Sequence, residues 1–223
     1  TQLIQVKTDV LNVTINPLGG EIVEVSLPAY PADIKNKDIP FVLMENNARR
    51  VYVAQSGLLD AKGKQWEKTQ AYSASQVSYQ LDEASDVLTV ELSTQLDDVE
   101  VKKIFTFQRN NYLIDVKYQV ANGSDSQWRG VFFAQLKRDR SEDPSKGSSM
   151  GMQAYLGPAI TTNLSKYEKV SFDDIDDKRL AETVDGGWVA MLQHYFVSAW
   201  VANPETTHSV YAKPNKQGEY IVG

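Results

Sequence analysis

Gly186-Gly187-Trp188-Val189-Ala190-Met191-Leu192-Gln193-His194-Tyr195-Phe196-Val197-Ser198-Ala199-Trp200-Val201 is the most apolar run of the chain. Between Trp188 and Val201 only Gln193, His194 and Ser198 are polar. A membrane-spanning helix needs about 20 apolar residues. This run is too short, so it reads as the buried centre of a soluble domain. Trp, Tyr, Phe and Val favour strands, and a glycine pair marks where the run begins. The expectation is two aromatic-rich strands joined near Gln193-His194.

The sequence on either side repeats the strand signal. Leu11, Val13 and Ile15 alternate with polar residues, as do Val23, Val25 and Leu27. Between them Asn16-Pro17-Leu18-Gly19-Gly20 supplies turn chemistry, with proline fixing φ and glycine permitting positive φ. Pro28, Pro31 and Pro40 mark 28–40 as a loop, and 60–70 reads as a polar loop carrying Trp66. A meander follows through Val77–Leu81, Leu88–Leu92, and Val99 to Phe107, the last broken by Lys103. The cleanest strand places Tyr112, Ile114, Val116, Tyr118 and Val120 on one face, and Asp115, Lys117 and Gln119 on the other. Such alternation means one buried and one wet face, as in an antiparallel sheet. Residues 137–149 contain no apolar side chain and read as a mobile loop outside any core. Ser171 and Asp174 are spaced to cap a short helix over 173–181. There is no long amphipathic helix and no internal repeat. The fold class is therefore all-β, with two packed antiparallel sheets and a few short helices. A sandwich of about 200–250 residues is often one domain, so 1–223 is read as one.

Composition narrows the function. A net charge of −6 argues against a nucleic-acid partner and against docking on anionic lipid headgroups. The absence of cysteine removes disulfides, thiolate metal sites and a cysteine nucleophile. Thr1-Gln2-Leu3-Ile4-Gln5 lacks the basic and apolar regions of a signal peptide. Tyr220-Ile221-Val222-Gly223 reads as the start of a strand without a stop signal, which suggests an excised piece of a longer protein.

No catalytic constellation emerges. The chain has two histidines, His194 and His208, and neither has partners at metal-ligand spacing. His194 reads as a hydrogen-bonded histidine at the core or its rim. Asp173-Asp174-Ile175-Asp176-Asp177 lacks the glycine and terminal glutamate of a calcium loop and reads as a solvated helix start. There is no nucleophile elbow, phosphate loop or dinucleotide fingerprint. Trp66, Trp128, Trp188 and Trp200 suit a core or a ligand platform, with core favoured. No residue is singled out as catalytic, cofactor-binding or metal-binding, and the partner-binding residues stay unassigned.

Three stretches carry a family resemblance. The Gly186–Phe196 run followed by Ser198-Ala199-Trp200 closely resembles the periplasmic region of the YidC family of Gram-negative inner-membrane insertases. Leu156-Gly157-Pro158-Ala159-Ile160, with Tyr167-Glu168-Lys169 and Phe172-Asp173-Asp174-Ile175, is similar to the segment preceding it. Val10 to Leu27 is similar to that domain's opening hairpin. The resemblance implies a β-supersandwich similar to galactose mutarotase. It implies a place on the periplasmic side of the bacterial inner membrane, between a first transmembrane helix and a five-helix insertase core. It implies a membrane-embedded parent that inserts and folds inner-membrane proteins, alone or with the Sec translocon. The implied partners are Sec components and nascent inner-membrane proteins. The family's insertion groove lies in the membrane core, so this domain is expected to be a non-enzymatic interaction module without cofactors. The family domain also continues past the position of Gly223, so closing strands and a linker helix are expected beyond it. The alternative is a carbohydrate-binding or aldose-epimerase-like sandwich, although His194 matches no mutarotase motif.

Overall fold

Alternating side chains build the sheets of the computed structural model, which describes residues 2–33, 36–60, 71–144 and 154–223. Of the expected loop at 60–70, Asp60 ends a strand and the rest, with Trp66, lies outside the described residues, as do residues 145–153. The chain divides into two compact units, Thr1–Glu45 with Gln55–Phe133, and Asn46–Ala54 with Ala134–Gly223.

The first unit holds β1 (Ile4–Lys7), β2 (Asn12–Asn16), β3 (Glu21–Asp33), β4 (Asn36–Asn46), β5 (Val51–Asp60), β6 (Ser73–Ala74), β7 (Ser78–Gln80), β8 (Val87–Leu96), β9 (Val99–Gln108), β10 (Ile114–Asn122) and the start of β11 (Gly130–Arg138). One sheet has the order β5-β4-β3-β2-β1-β7, with β5 entering through residues 55–60. The other has the order β10-β9-β8-β6. β9 pairs antiparallel along its length with both neighbours. Its inward residues Val99, Val101, Lys103, Phe105 and Phe107 are all buried. The predicted opening hairpin is present as β2 and β3, and Gly19 and Gly20 take the positive φ its turn requires. The sheets meet where Ser56 Oγ lies 3.2 Å from the Tyr118 hydroxyl.

Two readings are corrected in this unit. Residues 28–33 and 36–40 are not a simple loop: β3 and β4 continue through them as an exposed two-stranded arm in which Pro31 stands opposite Pro40. Register shifts on both sides of Pro31 accommodate residues that cannot donate to a ladder. The clean strand begins at Ile114, and Tyr112 and Leu113 lie outside it, 45% and 58% exposed. β10 is the end strand of its sheet, so its inward face is only half-buried.

The second unit holds the end of β11, β12 (Gly157–Ile160), β13 (Glu168–Lys169), α1 (Phe172–Asp177), β14 (Leu180–Asp185), β15 (Trp188–Leu192), β16 (Val197–Val201), β17 (Thr207–Pro214) and β18 (Tyr220–Val222). One sheet runs β14-β17-β18-β11-β5, the last through residues 51–54, and the other runs β13-β12-β15-β16. Trp200 Nε1 on β16 donates to Gln135 O on β11 at 3.0 Å, joining the two sheets. Packed antiparallel sheets thus form both units, in agreement with the all-β reading.

Ser171 caps α1, and the Ser171 backbone N–H donates to the Asp174 carboxylate to complete a capping box. The helix stops at Asp177 rather than reaching Ala181. Lys178 is already extended, and β14 pairs with β17 over six residues. Arg140 ties the helix to β18: it reaches Asp173 at 2.8 Å, Asp176 at 2.5 Å and the Tyr220 hydroxyl at 2.6 Å. The reading of 137–149 as core-free is also corrected. Lys137 and Arg138 end β11, Arg138 is fully buried, and Asp143 is 8% exposed.

Candidate functional site

The hairpin that opened the sequence reading is β15 and β16, paired from Trp188↔Val201 to Leu192↔Val197. Gln193 N donates to Phe196 O at 2.8 Å and closes the turn. β15 lies between β12 and β16, and its Val189, Ala190 and Met191 are buried. β16 is different. It is the last strand of its sheet among the described residues. Val197, Ala199 and Val201 face outward while Ser198 and Trp200 face in. Tyr195 is 69% exposed, Val197 57% and Val201 69%. The expectation of a buried centre therefore holds for Val189 to Met191 of β15 and fails for β16, whose outward side chains Val197, Ala199 and Val201 are exposed.

His194 is not a core histidine. It sits exposed at the hairpin tip, and its ring stacks on Tyr195 with centroids 4.1 Å apart. Its backbone N–H donates to Asp143 Oδ2 at 2.6 Å, and Gln193 Nε2 donates to Asp143 Oδ1 at 3.2 Å. Asp143 thereby fixes the hairpin turn from inside the unit.

Beneath the hairpin lies a buried polar cluster. The Arg138 guanidinium lies 4.9 Å above the Tyr52 ring, and its Nη2 donates to Ser141 O at 3.2 Å. Arg50 is buried close by and, like the burial itself, lowers the Arg138 pKa. Burial pushes the Tyr52 phenol up to about 12. Ser198 Oγ stands beside the Tyr52 hydroxyl and holds that rise back.

The first unit carries its own two features. Lys103 is 1% exposed and donates to Ser56 O at 3.0 Å and Gly19 O at 3.3 Å. A shallow open cleft of about 510 Å³ is lined by Leu96, Asp97, Asp98, Ser126, Trp128 and Arg129 among others, and no histidine lines it. Among the described residues no group of three or more His, Cys, Asp or Glu is placed to hold a metal ion. No described helix is long and apolar enough to cross a membrane.

Sequence reasoning missed Lys103, Arg138 and Asp143. The first two had a signal. Lys103 shares the inward parity of Val101 and Phe105, and Arg138 that of Leu136. Asp143 had none, because its burial depends on a turn 50 residues away.

The family model described as the YidC periplasmic domain matches residues 3–223. A protein named membrane protein insertase YidC from Azotobacter vinelandii is 47% identical across 100% of this chain and 40% of its own length. Those of the same name from Stutzerimonas stutzeri and Pseudomonas fluorescens are each 46% identical, across 100% and 99% of this chain and 40% of their own lengths. The chain thus spans about two fifths of the curated relatives it matches.

Proposed function

The chain belongs to the YidC periplasmic domain family, and from that premise we propose that it is the non-catalytic interaction module of a membrane protein insertase. Its place is the periplasmic side of the bacterial inner membrane, in a membrane-embedded parent. Its partners are nascent inner-membrane proteins and, beside them, components of the Sec translocon. The β15–β16 hairpin carries this reading. From Gly186 to Ala202 the chain has no Asp, Glu, Lys or Arg, in a sequence that is 23% charged, and it presents Tyr195, Val197 and Val201 to solvent. An exposed, charge-free apolar stripe suits an apolar segment on its way into a bilayer.

Photocrosslinkers placed at Tyr195, Val197 and Val201 of the full-length protein test this, with Ser126 as the control site. The expected result is capture of a nascent membrane protein or a Sec subunit from the hairpin and not from Ser126. Equal capture from both sites, or none from the hairpin, would sink the assignment. The carbohydrate reading rests on the cleft beside Trp128, with Asp97, Asp98 and Arg129 in its lining. Calorimetric titration with common hexoses is expected to show no saturable heat; a saturable signal lost in Trp128→Ala would favour that reading instead.

A further inference from the structure

We propose that Arg179, Lys213 and Lys216 form a docking patch for an anionic phospholipid surface, where β17 turns into β18. The inference rests on the reading that the parent protein is membrane-embedded. Leu180 of β14 stands opposite Ala212 of β17, and the same register continued by one residue sets Arg179 opposite Lys213. Lys213 is opposite Ile221, and Ile221 is opposite Lys137. The next residues along these strands, Ala212, Val222 and Leu136, are buried, so the row faces outward. Arg179, Lys213 and Lys216 are all exposed. With Pro214 and Ile221 they line a shallow cleft of about 460 Å³, and no acid is among its described lining residues.

Like charges directly opposite on paired strands repel each other. Nothing nearby relieves this pair: among the described residues, no carboxylate forms an ion pair with Arg179, Lys213 or Lys216. Glu219, the acid of the adjoining turn, is taken up by Lys137 Nζ at 3.2 Å and Asn215 Nδ2 at 2.6 Å. The turn that carries Lys216 is held in place. Asn215 Oδ1 accepts from Gln217 N and Glu219 N, each at 2.9 Å, and Asn215 N donates to Glu219 O at 2.8 Å. Lys213 Nζ lies 5.0 Å from the centroid of the Tyr211 ring. The cations therefore stand on ordered backbone and await negative charge from outside.

Charge complementarity selects the occupant. Antiparallel strands lie about 4.8 Å apart, so the three charges spread over a face and do not converge on one ion. A lipid surface offers many phosphates side by side and suits such a spread. The net charge of −6 does not oppose this contact. Screening acts over about 8 Å at physiological salt, so the patch is felt locally. Each cation at an anionic surface strengthens binding about fivefold. Three give a weak and reversible contact, which suffices for a domain already tethered beside the bilayer.

Flotation of the 223-residue chain tests this, with vesicles of phosphatidylglycerol and phosphatidylcholine against vesicles of phosphatidylcholine alone. At low salt the chain should partition at least about tenfold better onto the anionic vesicles, and about 0.5 M sodium chloride should release it. Arg179→Gln, Lys213→Gln and Lys216→Gln together should weaken partition about 100-fold. Lys7→Gln, Lys117→Gln and Lys166→Gln change the net charge equally at other exposed sites and should leave partition nearly intact. Unchanged Tm checks that both variants fold. No partition at low salt overturns the proposal, as do equal losses in the two variants. Patch-dependent binding of a polyglutamate peptide tighter than that of the vesicles overturns it in favour of an acidic polypeptide. Release by millimolar inorganic phosphate at constant ionic strength overturns it in favour of a free ion. Hairpin crosslinking without flotation removes the patch and leaves the interaction role, so the two readings fail separately.

Discussion

Lys103 and Arg138 are both cations buried at inward positions of strands, and their surroundings treat them differently. Lys103 Nζ lies between two main-chain carbonyls, Gly19 O and Ser56 O, with the Phe105 and Tyr118 rings 5.3 and 5.5 Å away. Its flexible stem carries a point charge to acceptors in the facing sheet. The planar fork of Arg138 lies over Tyr52 and finds one carbonyl for its five N–H groups. The lysine thus cross-links a sandwich through the turn of its opening hairpin. The arginine leaves its Nε and Nη1 without an acceptor. A charged residue at an inward position can cross-link two sheets or stay partly unpaired, and the fate of its donors separates the two.

The largest expected effect comes from breaking the strut. Lys103→Ala removes a filled core volume and strands two carbonyls, and should cost about 3–5 kcal/mol in urea unfolding. A loss below about 1 kcal/mol would show that the two cations are equivalent. Gly20 sharpens the point: a Cβ there would stand 2.9 Å from Lys103 Cδ, at a φ of +61°. Gly20→Ala should therefore destabilise in both backgrounds, because the positive φ strains it either way, and by less in Lys103→Ala, where the clash with Cδ is gone, as a double-mutant cycle would show.

A smaller effect belongs to the arginine's neighbour. The Tyr52 pKa is raised by burial from 10.0 to about 12. The folded state then holds this proton more tightly than the unfolded state. The stability is complete below pH 10 and is lost as pH rises towards 12, by about 1.4 kcal/mol per pH unit. Tyr52→Phe should flatten that part of the alkaline unfolding profile. An unchanged slope would remove Tyr52 from the buried cluster. The smallest effect is expected from Ser171→Ala, about 1 kcal/mol, which sets the scale for losing an ordinary surface cap.

Much of this was legible in the residues. The hairpin over 188–201, the opening hairpin, the β8–β9 meander and the Ser171 capping box all follow from local pattern, since period and turn chemistry are local properties. The burial of Asp143 was not legible, because a run without apolar side chains reads as solvated unless its partners are known, and the same run masked the parity that Arg138 shares with Leu136. The exposure of β16 was missed for a related reason. Composition tells how apolar a strand is, whereas the elements that pack on its sheet decide whether both faces are covered. The helix was overextended because Leu180 and the residues after it gain more from pairing with β17 than from continuing α1.

The arm formed by residues 28–33 and 36–40 has a consequence for how this chain behaves in crowded company. Unsatisfied strand margins invite other polypeptides to add on and start aggregates. Pro28, Pro31 and Pro40 deprive this arm of three amide hydrogens, and Lys37, Asp33 and Asp38 surround it with charge. It can project into solvent without serving as a template for stacking. β16, with neither proline nor charge along Val197–Val201, has no such guard. Of the two margins, it is the one where a second polypeptide can be received.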